Sequence, residues 1–247
     1  MKSAPSGKHP RLSPRTPLSL RPAALDTART PAKPVPVPVR PAYRLKGPLD
    51  YLLAVLIAVP ALPVMAVCLL VVKLTSPGPA VYSQSRVGRG GRVFTIYKIR
   101  SMFHDCEKTT GIQWSVKGDR RITPVGRVLR VLHLDELPQL WNVLVGDMSL
   151  IGPRPERPEI VDDLRVTLGR GYDIRHAVKP GLTGFAQIHL PPDSSVRTAK
   201  NKLVYDRYYV GRMGFWADLR ILALTAMKVV GLKKLYCRPP RHPAASE

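Results

Sequence analysis

Acidic side chains are scarce in this chain: seventeen Asp and Glu stand against 39 Lys and Arg over 247 residues, a formal net charge of +22. An excess of that size needs phosphates, nucleic acid or an anionic membrane face nearby, and charge alone does not choose among them. Cysteine is nearly absent too. Cys68 lies in an apolar run, and Cys106 and Cys237 are far apart, with no CxxC spacing and no neighbouring His cluster. That pattern argues against a disulfide framework or a structural zinc and suits a reducing compartment. No segment recurs at a fixed period, so a repeat array is not indicated. The length supports one packed domain with appendages.

The charge is unevenly placed. From Met1 to Lys46 ten basic residues face one acid, Asp26, so this stretch carries +9 and the remainder +13. Residues 1–45 are rich in Pro, Ser, Arg and Ala, and Pro31 to Pro41 alternates Pro with small apolar residues. Such composition buries too little surface to offset ordering entropy, so a disordered tail with polyproline II character is expected, with a second disordered tail over 236–247. A secretory signal is not expected, because the apolar segment begins near residue 49 and no small-residue cleavage site follows it.

From Tyr51 to Val72 the chain runs 22 residues without a charge, which as a straight helix reaches roughly 33 Å, enough to cross a bilayer core. Pro60 and Pro63 fall in the middle of the run, where each removes a helix hydrogen bond. A break is expected there. Both flanks are basic, Arg40, Arg44 and Lys46 before and Lys73, Arg86, Arg89 and Arg92 after, so the positive-inside rule gives no orientation. Composition leaves a spanning helix and a re-entrant hairpin both open.

Beyond the turn signal Ser76-Pro77-Gly78, AVYSQSRVG and RVFTIYKIRSM flank Gly88 to Gly91 and predict a β-hairpin. Apolar residues at helical spacing (Val125, Val128, Leu129, Leu132) predict a helix within Arg121 to Leu134, and a second from Asp135 to about Val145. Gly214 to Lys234 predicts an apolar helix carrying Asp218, Arg220 and Lys228, interfacial or core-packed rather than a second span.

Arg130 to Pro155, RVLHLDELPQLWNVLVGDMSLIGPRP, carries the chemistry. Asp135 and Glu136 lie between two helical patterns, and by position alone Asp135 reads as an N-cap. Its neighbours raise its interest: Arg130 lies one turn upstream, and Arg154 is held between Pro153 and Pro155 after a glycine. A carboxylate beside phosphate-binding arginines suits covalent phosphoryl transfer, because an Asp can attack phosphorus and hold an acyl phosphate. A helix N-terminus at the same place would favour the phosphate. A nucleotide diphosphate also calls for a divalent cation, and the hard oxygens of Asp135 and Glu136 suit Mg²⁺.

Six collinear pieces between Lys46 and Leu232 resemble the bacterial sugar transferases, the monotopic phosphoglycosyl transferases that start exopolysaccharide and glycan assembly. They are KGPLDYLLAV, TSPGPAVYSQSRVGRGG, FTIYKIRSM, LDELPQLWNVLVGDMSLIGPRPERPE, KPGLTGFAQI and YDRYYV. The resemblance implies a mixed α/β membrane-associated domain over 75–235 with a small hairpin and amphipathic interfacial helices. It also implies a re-entrant helix-break-helix over 46–74, broken at Pro63, with Leu62 where many relatives carry Ser and Pro60 supplying a further break. By the same resemblance Asp135 is the nucleophile that takes a phosphosugar from a UDP-sugar, releasing UMP, and polyprenyl phosphate then accepts it. Glu136 is its partner, ligating Mg²⁺ or helping deprotonate the acceptor. Arg130 and Arg154 hold phosphate, and Arg100 and Asp206 are further members. The implied location is the bacterial inner membrane, catalytic domain on the cytoplasmic face, with anionic lipids and a second copy of the chain as further partners. GPRPERPE looks closest to hexose-1-phosphate transferases, glucose or galactose in particular.

Two rival readings are a membrane-tethered nucleic-acid-binding protein and a non-catalytic scaffold of polysaccharide assembly. The first predicts a basic stripe with stacking aromatics or a recognition motif, and the sequence has neither. The retained Asp135-Glu136 pair and Arg154 oppose the second. GRGGR at Gly88 to Arg92 lacks the P-loop Lys-Ser/Thr and reads as a hairpin turn. His104, His133, His176 and His189 lack metal spacing and read as surface or structural. Trp114, Trp141 and Trp216 read as core or interface residues.

Overall fold

The computed structural model describes residues 42–231 apart from 112, 117 and 193. The disorder expected for both tails concerns residues outside this range, save the last few positions before the apolar helix.

The first element, α1 (Lys46–Thr75), is one uninterrupted helix of 30 residues that contains both Pro60 and Pro63. The break expected at these prolines is therefore not present as two separate helices. The physical reason lies in how α1 packs. Its buried and half-buried positions Lys46, Asp50, Ala54, Ala58, Ala61, Met65, Cys68 and Val72 follow each other at three- and four-residue steps, one continuous stripe. The prolines point to the exposed side, and the carbonyls that lose their donors belong to Leu56 and Val59, also exposed. Packing along the inner stripe carries the helix through.

Two strands form the expected hairpin: β1 (Val81–Val87) pairs antiparallel with β2 (Val93–Ile99), from Val81 opposite Ile99 to Val87 opposite Val93. The Arg89–Gly91 turn between them places Gly90 and Gly91 at positive φ, which glycine adopts without penalty. GRGGR is a turn. Short α2 (Cys106–Thr110) leads to α3 (Pro124–Val131), which is tighter than the sequence predicts because Thr123 caps it, accepting the Gly126 N–H at 2.9 Å, and His133 at φ 58° ends it. Gly126 meets the backbone of Ser101 so closely that an added Cβ would collide with the Ser101 carbonyl oxygen.

After a 3₁₀ turn at Leu134–Glu136, α4 (Gln139–Leu144) lies against β2, where the buried Asn142 donates to the Thr95 carbonyl at 2.7 Å. The helix expected from Asp135 thus begins four residues later, and Asp135 is not its N-cap. β3 (Ser149–Ile151) and β4 (Gly181–Thr183) form a parallel pair, separated by α5 (Pro158–Leu168) and a 3₁₀ segment at Arg170–Ala177. The last described elements are α6 (Phe185–His189), α7 (Val196–Arg212) and α8 (Phe215–Val229). Of the tryptophans, Trp114 packs against the core while Trp141 and Trp216 are exposed.

The main core joins Ala54 of α1 to Phe94, Ile96, Leu140, Leu150, Leu164, Leu203 and Ile221, and a smaller cluster joins Cys68 and Val72 to Ile99 and Leu129. Both halves of α1 are therefore walls of the same domain. Gly126→Ala should lower stability by about 1–3 kcal/mol through overpacking. Thermal unfolding of the detergent-solubilised protein reads this, and an unchanged midpoint would contradict the close approach.

Candidate active site

Strand parity brings the first cation to the site. On β2 the side chains of Phe94 and Ile96 enter the core, and Lys98 shares their face at the open end of the hairpin. Its amine reaches the Glu136 carboxylate at 3.1 Å. Arg154 grips the same carboxylate, with one guanidinium nitrogen on Oε1 and the other 3.3 Å from Oε2. Glu136 thus joins β2, the 3₁₀ turn and the loop after β3. Burial alone would raise its pKa, but the Arg154 and Lys98 charges outweigh burial and hold it well below the usual carboxylate range. Arg154 is correspondingly raised by Glu136, and it still exposes 32 % of its side chain.

Asp135 is different. It is 7 % exposed and has no hydrogen-bond partner among the described residues. Burial first, and then the Glu136 charge, push its pKa up, while Lys98, Arg130 and Arg154 pull it down. Arg130 is fixed beside it by Nε on Ser101 Oγ and a terminal nitrogen on Ser115 Oγ, both at 2.8 Å. A buried, unbonded carboxylate with three cations around it keeps its lone pairs free.

The GPRP loop is held by backbone contacts. Gly152 donates to Thr183 O and Gly181 donates to Pro153 O, both at 2.9 Å. An added Cβ at Gly152, Gly181 or Gly184 would strike backbone atoms of the facing segment. Hence GPRP and KPGLTG are two sides of one junction. Pro153 and Pro155 fix φ on either side of Arg154, and Arg86 donates to Pro155 O at 3.1 Å.

The structure gathers Asp135, Glu136, Arg130 and Arg154. It does not bring Arg100 to them: that guanidinium donates to Ser76 O at 2.6 Å and Pro77 O at 2.7 Å, pinning the exit from α1. Asp206 lies one layer behind, 3.0 Å from Arg175, which also donates to the Arg154 carbonyl at 2.7 Å and to the Tyr172 hydroxyl. The helix N-terminus expected at Asp135 is missing, because the chain there forms a 3₁₀ turn. His176 is structural, 3.2 Å from Asp173.

Sequence reasoning missed Lys98, Ser101, Ser115 and Arg175. For Lys98 a signal existed, a lysine at a core-parity position of a strand. For the others none did, since their roles follow from contacts between distant segments.

No group of three or more His, Cys, Asp or Glu is gathered among the described residues. Asp135 nevertheless suits a Mg²⁺ shared with substrate phosphates, which needs only one or two carboxylates from the protein. Glu136 already shares both oxygens with Arg154 and Lys98, so Asp135 is the carboxylate of the pair with open capacity.

The description "bacterial sugar transferase" matches residues 42–232. The chain belongs to that family. It is 42% identical over 180 residues to an Aeromonas hydrophila UDP-N-acetylgalactosamine-undecaprenyl-phosphate N-acetylgalactosaminephosphotransferase, covering 72% of this chain and 42% of that protein. It is 43% identical over 190 residues to a Xanthomonas campestris pv. campestris UDP-glucose:undecaprenyl-phosphate glucose-1-phosphate transferase, 76% of this chain and 39% of that one. A Caulobacter vibrioides relative of the same glucose-1-phosphate name is 36% identical over 223 residues, 89% of this chain and 82% of the relative. The chain thus spans about two fifths of the length of the first two relatives and most of the third.

Because Glu136 neutralises two mostly buried cations, Glu136→Gln should cost about 2–4 kcal/mol. Added inorganic phosphate, which supplies a replacement anion, should restore part of the lost melting temperature. A wild-type midpoint without phosphate would mean the three side chains are not paired.

Proposed function

We propose that this sugar transferase moves a sugar 1-phosphate from a UDP-sugar to polyprenyl phosphate, releasing UMP, in two steps through Asp135. The observation that carries this reading is the buried, unbonded Asp135 carboxylate beside Lys98, Arg130 and Arg154. In the first step an Asp135 oxygen bonds to the β-phosphorus and the bond to UMP breaks, the phosphate of UMP taking the electron pair. In the second a phosphate oxygen of the lipid bonds to the same phosphorus, the aspartyl bond breaks and the carboxylate is regenerated. Arg154 and Arg130 hold phosphate oxygens and offset the charge that gathers there. Glu136 positions Arg154 and Lys98. A carboxylate held so far below its usual range is a weak base, which favours this role over deprotonation of the acceptor. Mg²⁺, when bound, would sit on Asp135 with the donor's diphosphate and neutralise it.

The donor class is a UDP-hexose, with glucose or galactose favoured by the GPRPERPE segment. Relatives named for glucose and for N-acetylgalactosamine stand at nearly equal identity, so a panel of UDP-sugars scored by UMP release decides the sugar. The domain sits on the cytoplasmic face of the inner membrane, where the lipid acceptor and anionic headgroups meet the basic surface. A seat for α1 on one side of the membrane is supported by its buried stripe: an unbroken helix that contacts one domain from Lys46 to Val72 keeps both ends on that domain's side.

Incubation with donor alone, followed by intact-protein mass measurement, should show one added hexosyl phosphate that disappears when polyprenyl phosphate is supplied. Asp135→Asn should show neither adduct nor turnover. A wild-type protein that turns over with no such adduct would end the two-step scheme.

The pH dependence has a defined sign. Asp135 must be ionised to attack, and its pKa lies above the ordinary 3.8, so kcat/KM should fall as pH drops through that raised value. Lys98→Met removes a charge that favours the carboxylate, and the acid limb should move to higher pH. Movement to lower pH would separate Lys98 from Asp135.

A further inference from the structure

Between Asp135 and Asn142 the chain buries one further polar side chain, Gln139, which is 2 % exposed. Its amide nitrogen has no hydrogen-bond partner among the described residues. A buried N–H left unpaired is destabilising, and folded chains leave very few such groups. Asn142, three residues further along α4, shows the usual outcome: its amide donates to the Thr95 carbonyl at 2.7 Å and its oxygen accepts the Tyr97 N–H at 3.4 Å. Asn142 is committed to β2, and Gln139 is committed to nothing in the fold.

The backbone sets Gln139 against the site. Leu137 and Pro138 both hold right-handed helical angles, so the 3₁₀ turn at Leu134–Glu136 runs into α4 without a change of hand. Gln139 therefore stands three residues after Glu136 and four after Asp135 on one helical ribbon, and residues at those spacings are neighbours, with Cβ atoms about 5–6 Å apart. Helical side chains also lean toward the N-terminus, over the preceding turn. The turn that Gln139 leans over is the one carrying Asp135 and Glu136. Both Glu136 oxygens are taken by Arg154 and Lys98, while Asp135 is buried and unbonded. A carboxylate and an amide N–H, neither with a partner, thus lie one turn apart.

We propose that Gln139 touches the substrate: its amide N–H donates to an oxygen of the phosphoryl group that Asp135 takes up. This deepens the reading above and rests on it. A phosphoryl group on Asp135 carries its oxygens beyond the carboxylate, within reach of a side chain one turn away. Lys98, Arg130 and Arg154 offset the charge there, and the neutral amide adds a direction without adding a fourth cation. An N–H that no protein group accepts is a donor held ready for the transferring group, with no protein bond to break when the reaction occurs. The stability lost by burying it is offset only when substrate is present.

The test uses the full chain in detergent or nanodiscs. Gln139→Met keeps a long unbranched side chain and removes the amide. Because no protein hydrogen bond is lost, its thermal midpoint should equal or exceed that of the wild type. UMP release should nevertheless fall about a hundredfold, and inorganic phosphate, measured by calorimetry, should bind about fivefold more weakly. Stability kept while turnover is lost is a combination that a structural role does not give. Midpoints clearly below wild type in both Gln139→Met and Gln139→Leu would show that the amide supports the fold, and would overturn the assignment. Wild-type turnover, or phosphate binding that is equal or absent in both proteins, would overturn it as well. If the wild-type protein releases no UMP from any UDP-sugar, it is the transferase reading that fails, and the phosphate comparison still reports whether Gln139 is a phosphate donor.

Discussion

The site depends on one carboxylate that two cations share. Glu136 accepts Lys98 from the hairpin and Arg154 from the loop after β3, and it does so from the residue next to Asp135. Two buried cations would otherwise repel each other across the site. With Glu136 between them they are held close, and Asp135 is left without a bonding partner. The ordering of charge in Asp-Glu is thus a division of labour: one carboxylate is held low by the cations it organises, and its neighbour is pushed up by burial and by that same negative charge. Pairs of titratable groups driven apart in this way recur where acid-base or nucleophilic roles differ.

The apolar helix is part of the same construction. Its inner stripe completes two clusters of the core, while its outer face exposes Leu52, Leu56, Val59, Leu62, Val67, Leu70 and Leu74. A soluble protein cannot leave so large a continuous apolar surface to water, so that face belongs to lipid. Polar anchors hold each end against the domain: Lys46 and Asp50 reach Asp218 and Ser149, and Arg100 bonds the carbonyls of Ser76 and Pro77 where the helix stops. Such buried ion pairs add little net stability against their desolvation. They fix orientation instead.

Much of this was legible from residue order. The hairpin followed from alternation and a glycine turn, the lipid-facing helix from an uncharged run, and the core of the site from Asp-Glu with arginines on either side. Three readings failed for local reasons. The helical period around Asp135 was real, but His133 in a left-handed conformation interrupts it, and a 3₁₀ turn replaces a helix start. Pro60 and Pro63 did not split α1, because the stripe opposite them is packed along its whole length. Arg100 was placed in the site by the resemblance of FTIYKIRSM, yet the strand ends just before it and the side chain turns back to α1.

By itself the sequence determined the hairpin, the apolar helix and the late helix, which side chains carry charge, and how far each motif stands from the next, because these depend on spacing along the chain. Only the tertiary structure decided that Lys98 joins Arg154 on one carboxylate, that GPRP and KPGLTG touch through their glycines, and that Arg175 bonds the Arg154 carbonyl. Those contacts join segments tens of residues apart. Backbone propensity carries no information about such distances, and burial, which decides which charges pair, exists only once the chain has closed on itself.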